Sequence, residues 1–199
     1  MPAVQQVAAM VVMQPPMATE ALGQAQRLAN GDAAPPAGQS LRAWIGLGAN
    51  LGDRGAAMAQ ALRQLAGSAG VAVQAVSSLY SSRPVDSSGP DYLNAVAELR
   101  TSLSAQQLLH LLQQLELAAG RERPYRNAPR TLDLDVLLYA DIDTSIAMPD
   151  LQVPHPRMWQ RAFVLAPLQE LAPAWVSEAQ LQPLLPQGVQ RSQGPDWWR

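Results

Sequence analysis

Pro129-Arg130-Thr131-Leu132-Asp133-Leu134-Asp135-Val136-Leu137-Leu138-Tyr139 is the stretch on which the reading of this 199-residue chain turns. From Leu132 to Asp135 apolar and acidic residues alternate, as in a strand with one polar face. Val136 to Tyr139 is a continuous apolar run, as in a strand buried on both faces. A spacing of two puts the Asp133 and Asp135 carboxylates on the same face, about 6–7 Å apart at the backbone. Carboxylates that close repel each other unless positive charge lies between them. Arg130 at the strand entrance can supply it, and so can a hard divalent cation. Mg²⁺ favours one or two protein carboxylates completed by phosphate oxygens. The residues therefore describe a platform for metal-bound phosphates; the alternative is an edge strand with a solvated acidic face.

Composition narrows the chemistry further. A net charge of −2 gives no global attraction to nucleic acid or anionic membrane. There is no cysteine, which removes disulfides, thiolate metal sites and cysteine nucleophiles together. There is also no lysine, since the 14 basic residues are all arginine. That excludes a Walker-A lysine, a Schiff-base lysine and a kinase-type strand lysine. Phosphate handling falls to arginine, metal or backbone amides. No apolar run reaches a transmembrane length, and Val7 to Met13 lacks the basic region of a signal peptide. A cytoplasmic protein is expected.

Immediately upstream of the aspartates, Arg121 to Arg130 holds Arg121, Arg123, Arg126 and Arg130 together with Pro124 and Pro129. This is either a solvated basic loop or a clamp that closes over a polyphosphate with bidentate contacts. Its direct attachment to the aspartate strand favours the clamp. Before it, Ser104 opens a helix with Gln107 placed for a capping box. Leu108, Leu111, Leu112 and Leu115 form the core stripe of that helix, Gln113 and Glu116 lie on a different face, and Gly120 stops it. Val71 to Tyr80 and Tyr92 to Thr101 read as strands, and Ser81 to Asp91, with Pro84 and Pro90, as a mobile loop. Leu41 to Gly48 is the first strand. Gly46-Leu47-Gly48-Ala49-Asn50-Leu51-Gly52-Asp53 looks like a glycine-rich turn into a helix that reaches about Leu65, with Asp53 near its start. Its spacing fits neither a dinucleotide fingerprint nor a P-loop.

Residues 1–40 read as a disordered low-complexity extension, with a short helix from Thr19 to Asn30. Downstream of the aspartates, Ile142 to Val153 is a small β excursion, Pro154-His155-Pro156 a rigid turn and Arg161 to Leu171 a short apolar helix. From Ala172 to Trp197-Trp198 no clear pattern emerges. The expected organisation is an extension over 1–40, a catalytic domain over 41–176 and a tail over 177–199. The order β-α-β-loop-β-α-loop-β describes a ferredoxin-like α+β sandwich. It has a βαββαβ core, a four-stranded, largely antiparallel sheet with helices on one face, and extra C-terminal elements.

Several of these segments, in this order, resemble the 6-hydroxymethyl-7,8-dihydropterin pyrophosphokinase family of folate biosynthesis. They are Gly46 to Asp53, Pro90-Asp91-Tyr92-Leu93-Asn94-Ala95, Glu116 through Arg121, Pro129 to Asp135, and Val153-Pro154-His155 followed by Arg161-Ala162-Phe163. The resemblance covers Ala43 to Pro173, and the P-R-T-L-D-L-D run is its most specific part. It implies a diphosphotransferase that moves the β,γ-diphosphate of ATP to the hydroxymethyl group of the dihydropterin and releases AMP.

The resemblance also implies roles. Asp133 and Asp135 would ligate two Mg²⁺ ions bridging the triphosphate. Arg121, Arg123, Arg130 and Arg161 would bind the triphosphate, with Arg121 and Arg130 acting in catalysis beside the aspartates. Gln113, Glu116, Val136 and His155 would line the nucleotide site. Tyr92 and Phe163 would sandwich the pterin ring, Asn94 would bind its amide edge, and Ser82, Pro84 and Val85 would read the rest of that edge. A flat heteroaromatic ring suits aromatic faces, and Phe163 is the sole phenylalanine of the chain. Departures from the family pattern are Asn127 followed by Ala128, Pro156 after the histidine, and Asp150; they bear on adenine and ribose contacts. ATP and the pterin are the implied partners, with no nucleic acid and no membrane, and a monomer is expected. The rival readings are an RNA-binding module on the same sandwich, a metal-dependent nucleotide hydrolase, and an inactive relative that only binds. The paired aspartates oppose the first, because without metal they repel phosphate.

Overall fold

The structure is a computed structural model and describes residues 31–84, 89–120 and 130–199. In chain order the strands are β1 (Leu41–Ala49), β2 (Val71–Val76), β3 (Leu79–Ser82), β4 (Tyr92–Thr101), β5 (Asp133–Tyr139), β6 (Ile146–Ala147), β7 (Gln152–Val153) and β8 (Gln190–Gln193). The α-helices are α1 (Arg54–Ala66), α2 (Ala105–Ala118), α3 (Ala162–Leu171) and the short α4 (Glu178–Leu181). β1 and β4 form the centre of one antiparallel sheet, with β5 on the outer side of β1. β2 and β3 lie end to end along the far side of β4, and β8 adds beyond β3. β6 and β7 make a separate two-stranded ribbon. The first five strands with α1 and α2 are the ferredoxin-like arrangement.

Both helices of that core begin where the sequence supplies a cap. Asp53 accepts the Ala56 N–H at 3.0 Å at the start of α1. At α2, Ser104 and Gln107 satisfy each other's backbone amides, at 3.2 and 2.8 Å. Such caps satisfy backbone donors that the helix itself leaves without partners. Met58, Leu62 and Leu65 of α1 and Leu108, Leu112 and Leu115 of α2 pack on Ala43, Ile45, Leu47 and Val136, on the first face of the sheet.

The second face is also covered, which corrects the expectation of helices on one face only. Trp44, Val96, Leu137 and Leu138 lie buried there beneath Val164, Leu165 and Leu168 of α3, with Met158 and Val176. Burying one such side chain contributes roughly 1.5–3 kcal/mol, so a strand that is apolar on both faces requires a second layer. The pairing of β5 with β1 slips between Trp44 and Ile45, leaving Leu137 as an extra residue. Through that bulge Leu137 and Leu138 both join the second-face cluster, while Tyr139 returns to the first. One strand thus carries aspartates at one end and core at the other.

Three boundaries differ from the sequence reading. The strand expected over Val71–Tyr80 is two strands broken at Ser77-Ser78, and it continues to Ser82. Ser77 stays registered with β4 because its N–H donates to the Val96 carbonyl at 2.9 Å and its hydroxyl accepts the Val96 N–H at 3.0 Å. β1 runs one residue past its expected end at Gly48, to Ala49. The tail is ordered structure: β8 pairs with β3, and the Trp197 indole N–H donates to the Ser77 carbonyl at 3.0 Å. The helix expected at Thr19–Asn30, and most of the arginine-rich loop, lie outside the described residues.

Candidate active site

α3 covers the second face at one end only. Toward the other end run two cross-strand rows: Asp135–Gly46–Val96, whose Val96 end is buried beneath α3, and Asp133–Gly48–Asn94–Tyr80. The two glycines put no side chain between the aspartates and β4. A Cβ on Gly48 would stand 3.7 Å from Asn94 Oδ1 and 3.9 Å from the Asp133 Cβ, so any side chain there would fill the trough between them. This is the physical content of the Gly46-Leu47-Gly48 motif.

Arg130 enters this trough from the chain preceding β5. Its N–H donates to Asn50 Oδ1 at 2.7 Å, and its carbonyl accepts the Asn50 and Leu51 N–H groups at 3.0 and 3.2 Å. The guanidinium donates to the Asp133 carboxylate. Asn50 is buried and was given no role in the sequence reading; its place next to the glycines in the motif was the available signal. Glu116 of α2, 2% exposed, accepts the Leu134 N–H at 2.7 Å. That bond fastens α2 to the outer edge of the aspartate strand.

The turn after β7 brings in the remaining polar groups. The His155 N–H donates to the Leu137 carbonyl at 2.9 Å, and its Nε2 lies 4.0 Å from Asp135 Oδ2. Burial first, then the charges of Arg161 and Arg157, push the His155 pKa down to about 4. The imidazole is therefore neutral at pH 7 and serves as a hydrogen-bonding group. Arg161 is half-buried just before α3, its guanidinium carbon 5.4 Å from the Phe163 ring centroid. Burial holds its pKa below the usual arginine range; Arg157 and Arg130 push the same way, and Asp135 and Asp133 oppose them. It remains a cation, because arginine does not deprotonate in proteins. Arg130 and Arg161 thus interact with the two carboxylates, with Arg157 near Arg161, a balance suited to an added polyphosphate. Arg157 was not singled out from the sequence.

On the β4 side, Asn94 is buried and its Nδ2 donates to Ser82 Oγ at 2.9 Å. Tyr92 is half-buried on the same face. Burial raises its phenol pKa, with Arg130 lowering and Asp133 raising it, which marks both as near neighbours. Pro84 is half-buried beyond β3.

The structure therefore brings together Arg130, Asp133, Asp135, His155, Arg161, Phe163, Tyr92, Asn94 and Ser82. It keeps other residues apart from this face: Val136 is buried in the first-face core, Glu116 braces the strand edge, and Gln113 is half-buried on α2. Arg121, Arg123 and Val85 lie outside the described residues. Asp150, a departure from the family pattern, accepts a bond from Gln106 Nε2 at 2.8 Å. Among the described residues no group of three or more acidic or histidine side chains could hold a metal. Two aspartates alone fit Mg²⁺, which completes its shell with phosphate and water.

Paired carboxylates with guanidiniums and aromatic rings on one face of a ferredoxin-like sheet suit metal-assisted transfer of phosphate groups. The family model described as 7,8-dihydro-6-hydroxymethylpterin-pyrophosphokinase matches residues 44–173, and the chain belongs to that family. The 2-amino-4-hydroxy-6-hydroxymethyldihydropteridine pyrophosphokinase of Bacillus subtilis is 45% identical over 140 residues, 69% of this chain and 81% of that protein. The enzyme of the same name from Methylorubrum extorquens is 38% identical over 156 residues, 75% of this chain and 98% of that one. Among solved structures, a Plasmodium falciparum HPPK-DHPS triple mutant with STZ-DHP superposes with a TM-score of 0.55 at 11% identity. This chain, of which 74% is covered, spans 44% of that longer one, and the likeness shows the shared fold.

Proposed function

We propose that the trough on the second face transfers the β,γ-diphosphate of ATP to the hydroxymethyl group of 6-hydroxymethyl-7,8-dihydropterin, giving AMP and the pterin diphosphate. The observation that carries this reading is the single row Asp133–Gly48–Asn94, which sets a carboxylate able to hold metal and an amide able to bind a ring edge on either side of a bare glycine. Family membership supports the activity, and the row supports where on this chain it occurs.

Asp133 and Asp135 would hold Mg²⁺. When bound, Mg²⁺ neutralises the triphosphate and acidifies a coordinated hydroxyl. Arg130 and Arg161, with Arg121 and Arg123, bind the phosphate oxygens. For Arg130 this means exchanging the Asp133 carboxylate for a phosphate in bidentate contact. Tyr92 and Phe163 stack on the pterin ring, while Asn94, Ser82, Pro84 and Val85 read its edge. The neutral His155 borders the nucleotide. The hydroxymethyl oxygen attacks the β-phosphorus, the bond from that phosphorus to the α-phosphate oxygen breaks, and AMP leaves with the electron pair. The hydroxyl proton passes to solvent. The guanidiniums stabilise the charge that builds on the departing oxygen. Among the described residues no helix is long and apolar enough to cross a membrane.

The test is a product assay with purified protein and Mg-ATP, with and without the pterin, resolving AMP from ADP. The expected result is pterin-dependent AMP in equal amount to pterin diphosphate. ADP and phosphate formed without pterin would replace this reading with the hydrolase.

A further inference from the structure

Arg161 is the N-cap residue of α3, and no side chain of its own segment caps that helix. The backbone on either side of it is held instead by Gln187, at the end of the 3₁₀ turn Gln182–Gln187. Gln187 Oε1 accepts the Ala162 N–H at 2.8 Å, and Gln187 Nε2 donates to the Gln160 carbonyl at 2.9 Å. The two bonds bracket Arg161. The orientation of the carboxamide follows from the backbone, since the N–H can only donate and the carbonyl only accept. A carboxamide offers both groups from one rigid plane. The Ala162 N–H is one of the donors that a helix start leaves without a partner, so its loss of an acceptor would be felt locally. Gln187 itself is anchored: Gly188 follows at φ +68°, its N–H donating to the Leu185 carbonyl at 3.0 Å, and β8 then pairs with β3. Position 187 lies beyond the residues 44–173 that the family model matches.

We propose that Gln187 is a positioning residue for Arg161: it fixes the backbone from which this guanidinium reaches phosphate, and so links the C-terminal segment to nucleotide affinity. The inference rests on the phosphate-binding role of Arg161 given above. Gln187→Met keeps the stem, removes both bonds and alters a partly exposed position, so the fold persists. Two quantities are measured: amide hydrogen exchange at Ala162, and affinity for a non-hydrolysable Mg-ATP analogue, in the wild-type and Arg161→Ala backgrounds. Exchange at Ala162 is expected to accelerate, and Gln187→Glu, which keeps an acceptor for that amide, restores its protection. Affinity is expected to fall about 3- to 10-fold in the wild-type background, as the loss of one or two ordinary hydrogen bonds gives, and by less than about 2-fold with Arg161→Ala. Unchanged exchange, unchanged affinity, or an equal loss in both backgrounds would each overturn the proposal. Arg161→Ala alone binding as tightly as wild type would overturn the role of Arg161 itself, a result read without any change at Gln187, and the proposal would fall with it.

Discussion

Asp133 and Asp135 share a strand face but not an environment. Asp133 is bonded to Arg130 and its side chain is 19% exposed, whereas that of Asp135 is 43% exposed beside the neutral His155. Asp135→Ala therefore separates function from folding more cleanly. On its proposed role in holding metal, this variant is expected to lower AMP formation by at least about 1000-fold and to move the melting temperature by less than about 3 °C. Activity within tenfold of wild type would remove Asp135 from the reaction. Tyr139, at the other end of the strand, belongs to the core. Its hydroxyl donates to the Leu103 carbonyl at 2.7 Å, and burial pushes its pKa up to about 12. In the unfolded chain it titrates near 10, so between pH 10 and 12 the unfolded state loses a proton that the native state keeps. The stabilisation is complete below pH 10 and is lost as pH rises through 12, amounting to roughly 1–3 kcal/mol. Denaturation of wild type and Tyr139→Phe from pH 8 to 11.5 checks this: the wild type should lose stability more steeply. Parallel curves would refute it.

Between elements, Glu116 bears the attachment of α2 to β5. Glu116→Ala leaves the Leu134 N–H buried without its acceptor, at a cost of about 1–3 kcal/mol, and loosens the strand that carries the aspartates. Glu116→Gln keeps an acceptor and should retain most of that stability. Urea denaturation of the pair measures the difference; equal stabilities would show that the bond contributes nothing. Elements with a local signal were legible in the sequence. The capping box of α2 appears at Ser104 and Gln107 as expected, and β4 spans Tyr92–Thr101 as its alternation indicated. The break at Ser77-Ser78 was not legible, because a serine hydroxyl stands in for a ladder bond only when Val96 lies opposite. α3 was readable as a helix, but not the face of the sheet it would cover.

For the whole molecule, the C-terminal segment closes the sheet edge. β8 pairs with β3, Trp197 bonds to Ser77, and the Trp198 carbonyl accepts from the Arg63 guanidinium at 3.1 Å. A chain ending at Gly188 keeps Gln187 but loses all three. It is expected to melt roughly 5–10 °C lower and to self-associate through the bared edge of β3. Thermal melts and light scattering test this, and a monomeric product melting within about 2 °C of the full chain would contradict it.

By itself the sequence determined the chemistry and the order of elements. The alternating Asp133 and Asp135, the arginines beside them, the caps and the glycines are local signals, set by residue type and short spacing. Only the tertiary structure decided which groups meet. Asn50 and Arg130 are 80 positions apart, Gln187 and Ala162 are 25 apart, and Gly48 stands between Asn94 and Asp133 because of strand register. Pairings of that kind depend on how strands align and which face a helix covers. Packing of the whole core settles those choices, and no periodicity within one segment encodes them.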